Sequence, residues 1–219
     1  RFSLSNAAGD SQYFASSLVE HEDGASQFTL HTPHGEQTLT THFMGKHNVF
    51  NAVAATAAAM EAGATLQNVV RGLANLHPVA GRLSRLSGLN GSYLIDDSYN
   101  ASPGSFFAAI DVLSGLKGQK ILVMGDMKEL GDDTDSAHSS VGQYASESTI
   151  DEVWAVGEKS KLAVDACAAK GRHFEDKEAL IAALIAISNP GLTMLIKGSR
   201  GARMNEVVTA LKIDGETEC

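Results

Sequence analysis

Cysteine is nearly absent from this chain: of 219 residues only Cys167 and Cys219 carry a thiol. Neither has the CxxC spacing of a metal or redox site, so a disulfide-stapled or zinc-built fold is excluded and free thiols are expected. Long apolar runs are missing too. Nothing approaches the roughly 20 consecutive apolar residues that span a bilayer, and the opening Arg1-Phe2-Ser3-Leu4-Ser5-Asn6 has no apolar stretch resembling a signal peptide. Together these point to a cytoplasmic protein without membrane insertion. Positive charge is scarce, with a formal net charge of -9. That balance argues against a nucleic-acid partner, which needs a basic face to release counterions from phosphates. Any anionic ligand must be met locally, by Lys46 with His47, Arg82 with Arg85, and Lys197 with Arg200 and Arg203, each beside an element boundary. No GxGxxG follows a strand, which speaks against a dinucleotide-binding dehydrogenase.

What is present suffices for a real core. The chain is 43% hydrophobic and 20% charged, and its length allows one large or two small domains. Residues 11 to 43 read as a small antiparallel meander, with Asp23-Gly24 and Pro33-His34-Gly35 as turn signals and Phe28 and Leu30 in alternation. From Asn48 the period becomes helical through Val49, Val53, Ala57 and Met60, closing at Gly63. A second helix starts at Thr65 as N-cap, carries Leu66, Val69, Val70, Leu73 and Leu76 on one stripe, and stops at His77-Pro78.

Beyond Gly81 strand and helix alternate. Tyr93 to Ile95, Ile121 to Met124, Val153 to Val156, His173-Phe174 and Met194 to Ile196 each precede a helical stretch, over 105–113, 137–146, 159–169, 177–187 and 202–211. The expected class is α/β: a C-terminal Rossmann-like, mainly parallel sheet with helices on both faces, with ligands bound off the carboxyl ends of its strands. The preceding part, antiparallel strands plus two helices, leaves apolar faces uncovered and reads as an incomplete domain, so further chain is expected ahead of Arg1. The division falls near 79–82, giving domains over 1–80 and 81–219.

Three polar interruptions of apolar runs carry the chemistry. In His47-Asn48-Val49-Phe50-Asn51 the two amides lie three apart on one helix face, where they can meet an adenine edge or where Asn48 can cap the helix. In Asp96-Asp97-Ser98-Tyr99-Asn100-Ala101-Ser102-Pro103 a strand ends and a helix begins. Asp97 reads as a cap or turn residue, and Asn100 and Ser102 are turn formers by type. Lys197-Gly198-Ser199-Arg200 begins a helix with backbone donors and two cations beside it, a setting that accepts anions. The acidic stretch from Gly125-Asp126 through Glu129 to Asp135 reads as a helix first turn favoured by the dipole rather than a metal cluster or phospho-acceptor. The histidines form no metal set; His31 and His34 flank a hairpin turn.

These segments resemble the Mur ligase family. HNVFNAVAATAAAMEAGA looks like the HNxxNAxAA segment that closes its central ATP-binding domain, and Gly81-Arg82, DDSYNASPGS, VMGDMKELGD and IKGSRGARM follow in register. The resemblance runs from Gly45 onward. It implies an ATP-dependent amide ligase that forms an acyl phosphate on a peptide carboxylate. The branch matched best adds D-alanyl-D-alanine to UDP-N-acetylmuramoyl-tripeptide in peptidoglycan synthesis, acting as a monomer. ATP-binding roles then pass to Asn48, Asn51, Arg82, Asp97 and Asn100. Asp97 would hold the ribose hydroxyls and Arg82 ribose and phosphates, while Asp126, Glu129, Lys197, Ser199 and Arg200 contact substrate and His138 is a weaker candidate.

The family reaction also needs a GxxGKS/T loop with Mg²⁺, and no such loop occurs. The phosphate-binding lysine and main metal ligands are therefore expected outside this chain, which holds no catalytic residue of its own and would not ligate alone. Two other readings stay open: a folylpolyglutamate synthase-like ligase, where a histidine typically stands at the turn that carries Tyr99-Asn100 here, and a Rossmann-type or receiver-like binding module.

Overall fold

The computed structural model describes residues 2–3, 11–21 and 24–213. The chain divides into two compact units, Arg1–Pro78 and Val79–Cys219. Asp23 and Cys219 lie outside the described residues.

In the first unit β1 (Phe2–Ser3), β2 (Tyr13–Glu20), β3 (Ser26–Thr32) and β4 (Gly35–Thr41) form one sheet in that order. The meander is antiparallel and β1 joins β2 in parallel. Alternation decides its buried side: Phe28 and Leu30 are buried while Gln27 is exposed. Helices α1 (Lys46–Glu61) and α2 (Leu66–Ala74) cover that side, where Tyr13, Ala15, Phe28, Leu30 and Leu39 meet Val49, Ala52, Val53, Met60, Val69 and Leu73. Helix α1 is alanine-rich, which favours helix. It starts after Gly45 at φ 87 and is followed by Gly63 at φ 100, left-handed positions that suit glycine. Thr65 caps α2 by accepting from the Asn68 N–H. The helix ends at Ala74, before the expected stop, and leaves Leu76 exposed.

The second unit is a six-stranded sheet in the order β5-β6-β10-β7-β8-β9. Its strands are β5 (Ser84–Ser87), β6 (Tyr93–Asp97), β7 (Gln119–Gly125), β8 (Glu152–Val156), β9 (Gly171–Phe174) and β10 (Leu192–Lys197). All neighbours are parallel except β5, which runs antiparallel to β6 at one edge. This α/β sheet is mainly parallel, as expected. The β5 edge was not legible, because Ser-Arg-Leu-Ser offers one apolar residue and no run. Strands β7 and β10 read as near-continuous apolar runs because both their faces are covered.

Helices α3 (Pro103–Ser114), α4 (Thr134–Glu147) and α5 (Ser160–Ala166) pack in a row on one face. On the other, α6 (Lys177–Ile187) and α7 (Asn205–Leu211) join a core with Leu94, Val123, Trp154, Met194 and Ile196. Two helices are shorter than expected for one reason: Ala168 at φ 52 and Arg203 at φ 53 are left-handed and break the run beside 3₁₀ turns at Ala168–Lys170 and Arg200–Ala202.

The α4–α5 contact leaves no room for a side chain at Gly142, where a Cβ would overlap the Ala163 carbonyl oxygen. Gly142→Ala gains up to about 1 kcal/mol of helix propensity but overpacks a rigid backbone contact, typically costing about 1–3 kcal/mol. Net destabilisation is expected as a lower denaturant midpoint at unchanged slope. Beside it Cys167 donates its S–H to the Gly142 carbonyl, and burial raises its pKa to about 11. The thiol therefore stays protonated at neutral pH. Iodoacetamide should leave Cys167 unmodified in the folded protein and label it on unfolding, as read by peptide mass spectrometry.

Candidate functional site

Strand order creates the place for a site. Strand β10 lies between β6 and β7, yet its chain turns to α7 on one face while those of β6 and β7 turn to α3 and α4 on the other. The turns diverge there and leave a crevice at the carboxyl ends of the three strands.

The β6 turn is set first by Asp96, which is buried and whose Oδ1 accepts from the Ser98 N–H (3.1 Å) and hydroxyl (2.6 Å). The following helix is fixed by Ser102 and Ser105, each side chain accepting from the other's N–H, with Pro103 in the first turn. Between them the Tyr99 N–H donates to the Gly81 carbonyl. Gly81 takes φ 78, and a Cβ there would press on Tyr99 at 3.1 Å. This contact brings Arg82 in: its guanidinium carbon lies 4.4 Å from the Tyr99 ring centre, an exposed cation on an aromatic face.

The β7 and β10 turns are stitched together below the surface. A Cβ on Gly198 would come within 3.2 Å of the Gly125 Cα, so neither backbone tolerates a larger residue without moving. The Asp126 carbonyl accepts from the Ser199 N–H (3.0 Å) and hydroxyl (2.7 Å). The Asp126 carboxylate points the other way, its Oδ1 accepting from the N–H (2.8 Å) and hydroxyl (2.6 Å) of Ser160 at the start of α5. His138 is fully buried with both ring nitrogens used: Nε2 accepts from the Met127 N–H, which leaves the Nδ1 proton to donate to the Thr134 carbonyl. It holds the β7 turn as a neutral imidazole.

Above these turns lies a cavity of about 250 Å³ lined by Tyr99, Asn100, Lys128, Glu129, Ser199, Arg200 and Gly201. Lys128, Glu129 and Arg200 are exposed, so two cations and one anion face a single opening. Glu129 adopts φ 64, a left-handed backbone that costs a residue with a side chain on the order of 1–3 kcal/mol. Lys197 stands behind the cavity, 2% exposed in its side chain. Its Nζ donates to Asp97 Oδ2 at 2.5 Å and to the Asn100 carbonyl at 3.0 Å.

Both units match known family models. Residues 81–200 match the Mur ligase glutamate ligase domain and residues 1–59 the Mur ligase middle domain. The chain belongs to the Mur ligase family. It is 42% identical over 217 residues to UDP-N-acetylmuramoyl-tripeptide--D-alanyl-D-alanine ligase of Escherichia coli K12, covering 98% of this chain and 47% of that one. The Bacillus subtilis 168 ligase of the same name is 36% identical over 183 residues, covering 80% of this chain and 40% of the relative. This Mur ligase chain thus spans about half the length of the relatives it matches. Among solved structures, MurF from Acinetobacter baumannii superposes with a TM-score of 0.85 at 32% identity, over 95% of this chain and 45% of that one. Folylpolyglutamate synthase from Thermotoga maritima shares the fold at 18% identity and a TM-score of 0.62 over 91% of this chain and 47% of that one.

Within this Mur ligase chain the structure gathers part of the expected site. Asn100, Glu129, Ser199 and Arg200 line the cavity, and Arg82 and Asp97 belong to the same turn system of the second unit. Asp126 and Lys197 are framework beneath it, spent on Ser160 and on Asp97 with Asn100. The backbone donor expected at Ser199 is occupied by Asp126, and only a 3₁₀ turn follows it. Asn48 and Asn51 are in the first unit. Gly45 is the N-cap there, so Asn48 does not cap: its amide donates back to the Met44 carbonyl (2.9 Å) and its oxygen accepts from Asn51 (3.5 Å). Lys128 and Tyr99 were missed, although Lys128 precedes Glu129 and its charge was the available signal. Among the described residues no group of three or more His, Cys, Asp or Glu side chains is placed to hold a metal ion.

If Asp126 is framework, Asp126→Ala strands two polar hydrogens of buried Ser160. A loss of about 1–3 kcal/mol in unfolding free energy is expected, measured by chemical denaturation.

Proposed function

We propose that this chain is the nucleotide-clasping and acceptor-holding half of a ligase that joins D-alanyl-D-alanine to UDP-N-acetylmuramoyl-tripeptide for peptidoglycan synthesis. In this reading residues 1–80 end the central ATP-binding domain and residues 81–219 form the C-terminal domain of a cytoplasmic monomer. The observation that carries it is the cavity at the strand ends, which Lys128, Glu129 and Arg200 line together. A dipeptide is a zwitterion: its carboxylate suits the cationic pair and its ammonium the glutamate. The 42% identity to a ligase named for this dipeptide supports the same choice.

Nucleotide contact follows from chemistry. Asp97 is a carboxylate suited to accept from two ribose hydroxyls, and the Arg82 guanidinium suits a phosphate. Asn100 extends the same turn, and Asn48 and Asn51 offer amides to an adenine edge. ATP, when bound, supplies the phosphoryl group that activates the peptide carboxylate. The residues of this chain hold the dipeptide; its ammonium gives up one proton to become the attacking amine, and the C–N bond then forms as phosphate leaves and the nitrogen loses a second proton. The lysine that grips the transferred phosphate and the Mg²⁺ ligands belong to sequence outside this chain, which alone should release no phosphate in response to dipeptide.

The test uses the full-length protein. Phosphate release should require ATP, UDP-N-acetylmuramoyl-tripeptide and D-alanyl-D-alanine together. Arg200→Ala should raise KM for the dipeptide about tenfold or more, the size of a lost charged hydrogen bond, while KM for ATP stays near wild type. Dipeptide-independent turnover, or an unchanged dipeptide KM in the variant, overturns the assignment.

A further inference from the structure

The mechanism above gives no ligand contact to Lys197, a lysine 2% exposed in its side chain. Burying an ammonium is costly unless it is paired and hydrogen-bonded, and a mainly apolar strand end could have carried a leucine. What the ammonium touches is specific. It is the last residue of β10, in register with Asp97 on β6. Two of its three donors go to Asp97 Oδ2 and the Asn100 carbonyl, and its nitrogen lies 5.5 Å from the Phe106 ring centre. One ammonium thus ties a carboxylate and the backbone three residues beyond it into a single geometry.

We infer that Lys197 is a positioning residue: it fixes the plane of the Asp97 carboxylate so that its lone pairs face a vicinal diol, and it locks the Asn100 turn beside it. This rests on Asp97 as the ribose acceptor in the proposed function. A carboxylate attached through two rotatable bonds can turn away from a diol, and a buried donor on one oxygen limits that freedom. The pair is not an exposed ion pair, whose worth would be small, since both side chains are largely withdrawn from water.

A purely structural ion pair would change stability and leave ligand preference alone, so the experiment reads a preference. In the full-length protein, kcat/KM is measured with ATP and with 2′,3′-dideoxy-ATP, which lacks the diol. Wild type should favour ATP by about tenfold or more, and Asp97→Asn should erase most of that preference. Lys197→Met should reduce it severalfold while KM for the dipeptide changes less. Added to Asp97→Asn, it should reduce the preference no further, because the two residues act as one unit. Lys197→Gln keeps a donor without the charge; it is read in the same way should Lys197→Met fail to fold. A wild-type preference in both lysine variants overturns the inference and leaves a structural pair. A wild-type preference in Asp97→Asn instead overturns the assignment of Asp97 to the ribose.

Discussion

The Asp126 main chain joins the two strand ends that build the cavity. Its carbonyl accepts two hydrogen bonds from Ser199, while its carboxylate caps the start of α5 through Ser160. These bonds hold the β7 and β10 turns at one level, and the approach of Gly125 to Gly198 allows that level to be reached. Everything exposed above them, Lys128, Glu129, Arg200 and Gly201, inherits its place from these part-buried contacts. Loops commonly carry function on a rigid frame, and here the frame is polar backbone rather than apolar packing.

A second layer of the same logic links β10 to β6. Lys197 and Asp97 are register partners, so the sheet itself brings them to the same height. From there the ammonium reaches the Asn100 carbonyl, and Asn100 lines the cavity. The carboxylate proposed for the ribose and the opening proposed for the acceptor therefore share one buried lysine. Fold alone does not choose the acceptor, since folylpolyglutamate synthase has a similar sheet. In the proposed function the choice lies in the charges on the turns.

The alternation of strands and helices was legible because parallel strands covered on both faces become apolar runs, as in Ile121 to Met124, and because caps such as Thr65 announce helix starts. What stayed hidden was non-local. Nothing in Ser84–Ser87 marks an antiparallel edge, and nothing near Ala168 or Arg203 signals the left-handed breaks. At the candidate site, residue type named turns that border the cavity but not which side chains are engaged in hydrogen bonds beneath it. The family resemblance gave Asp126, Lys197 and Ser199 substrate contacts, while the hydrogen bonds they make here reach residues 34, 100 and 73 positions away. Lys128, one position from a named candidate, is distinguished only by the cavity it borders.

The strand order also bears on synthesis. The centre of the sheet is filled by its last strand, β10, which pairs with β6 and β7. On the ribosome, both of those strands emerge with one side unpaired and wait for a segment about a hundred residues behind β6. Long-range closure of this kind is slow, since chain entropy is lost before any pairing is gained. The crevice therefore comes into being only once β10 has emerged, and a chain terminated before β10 would display two open apolar strand edges in its place.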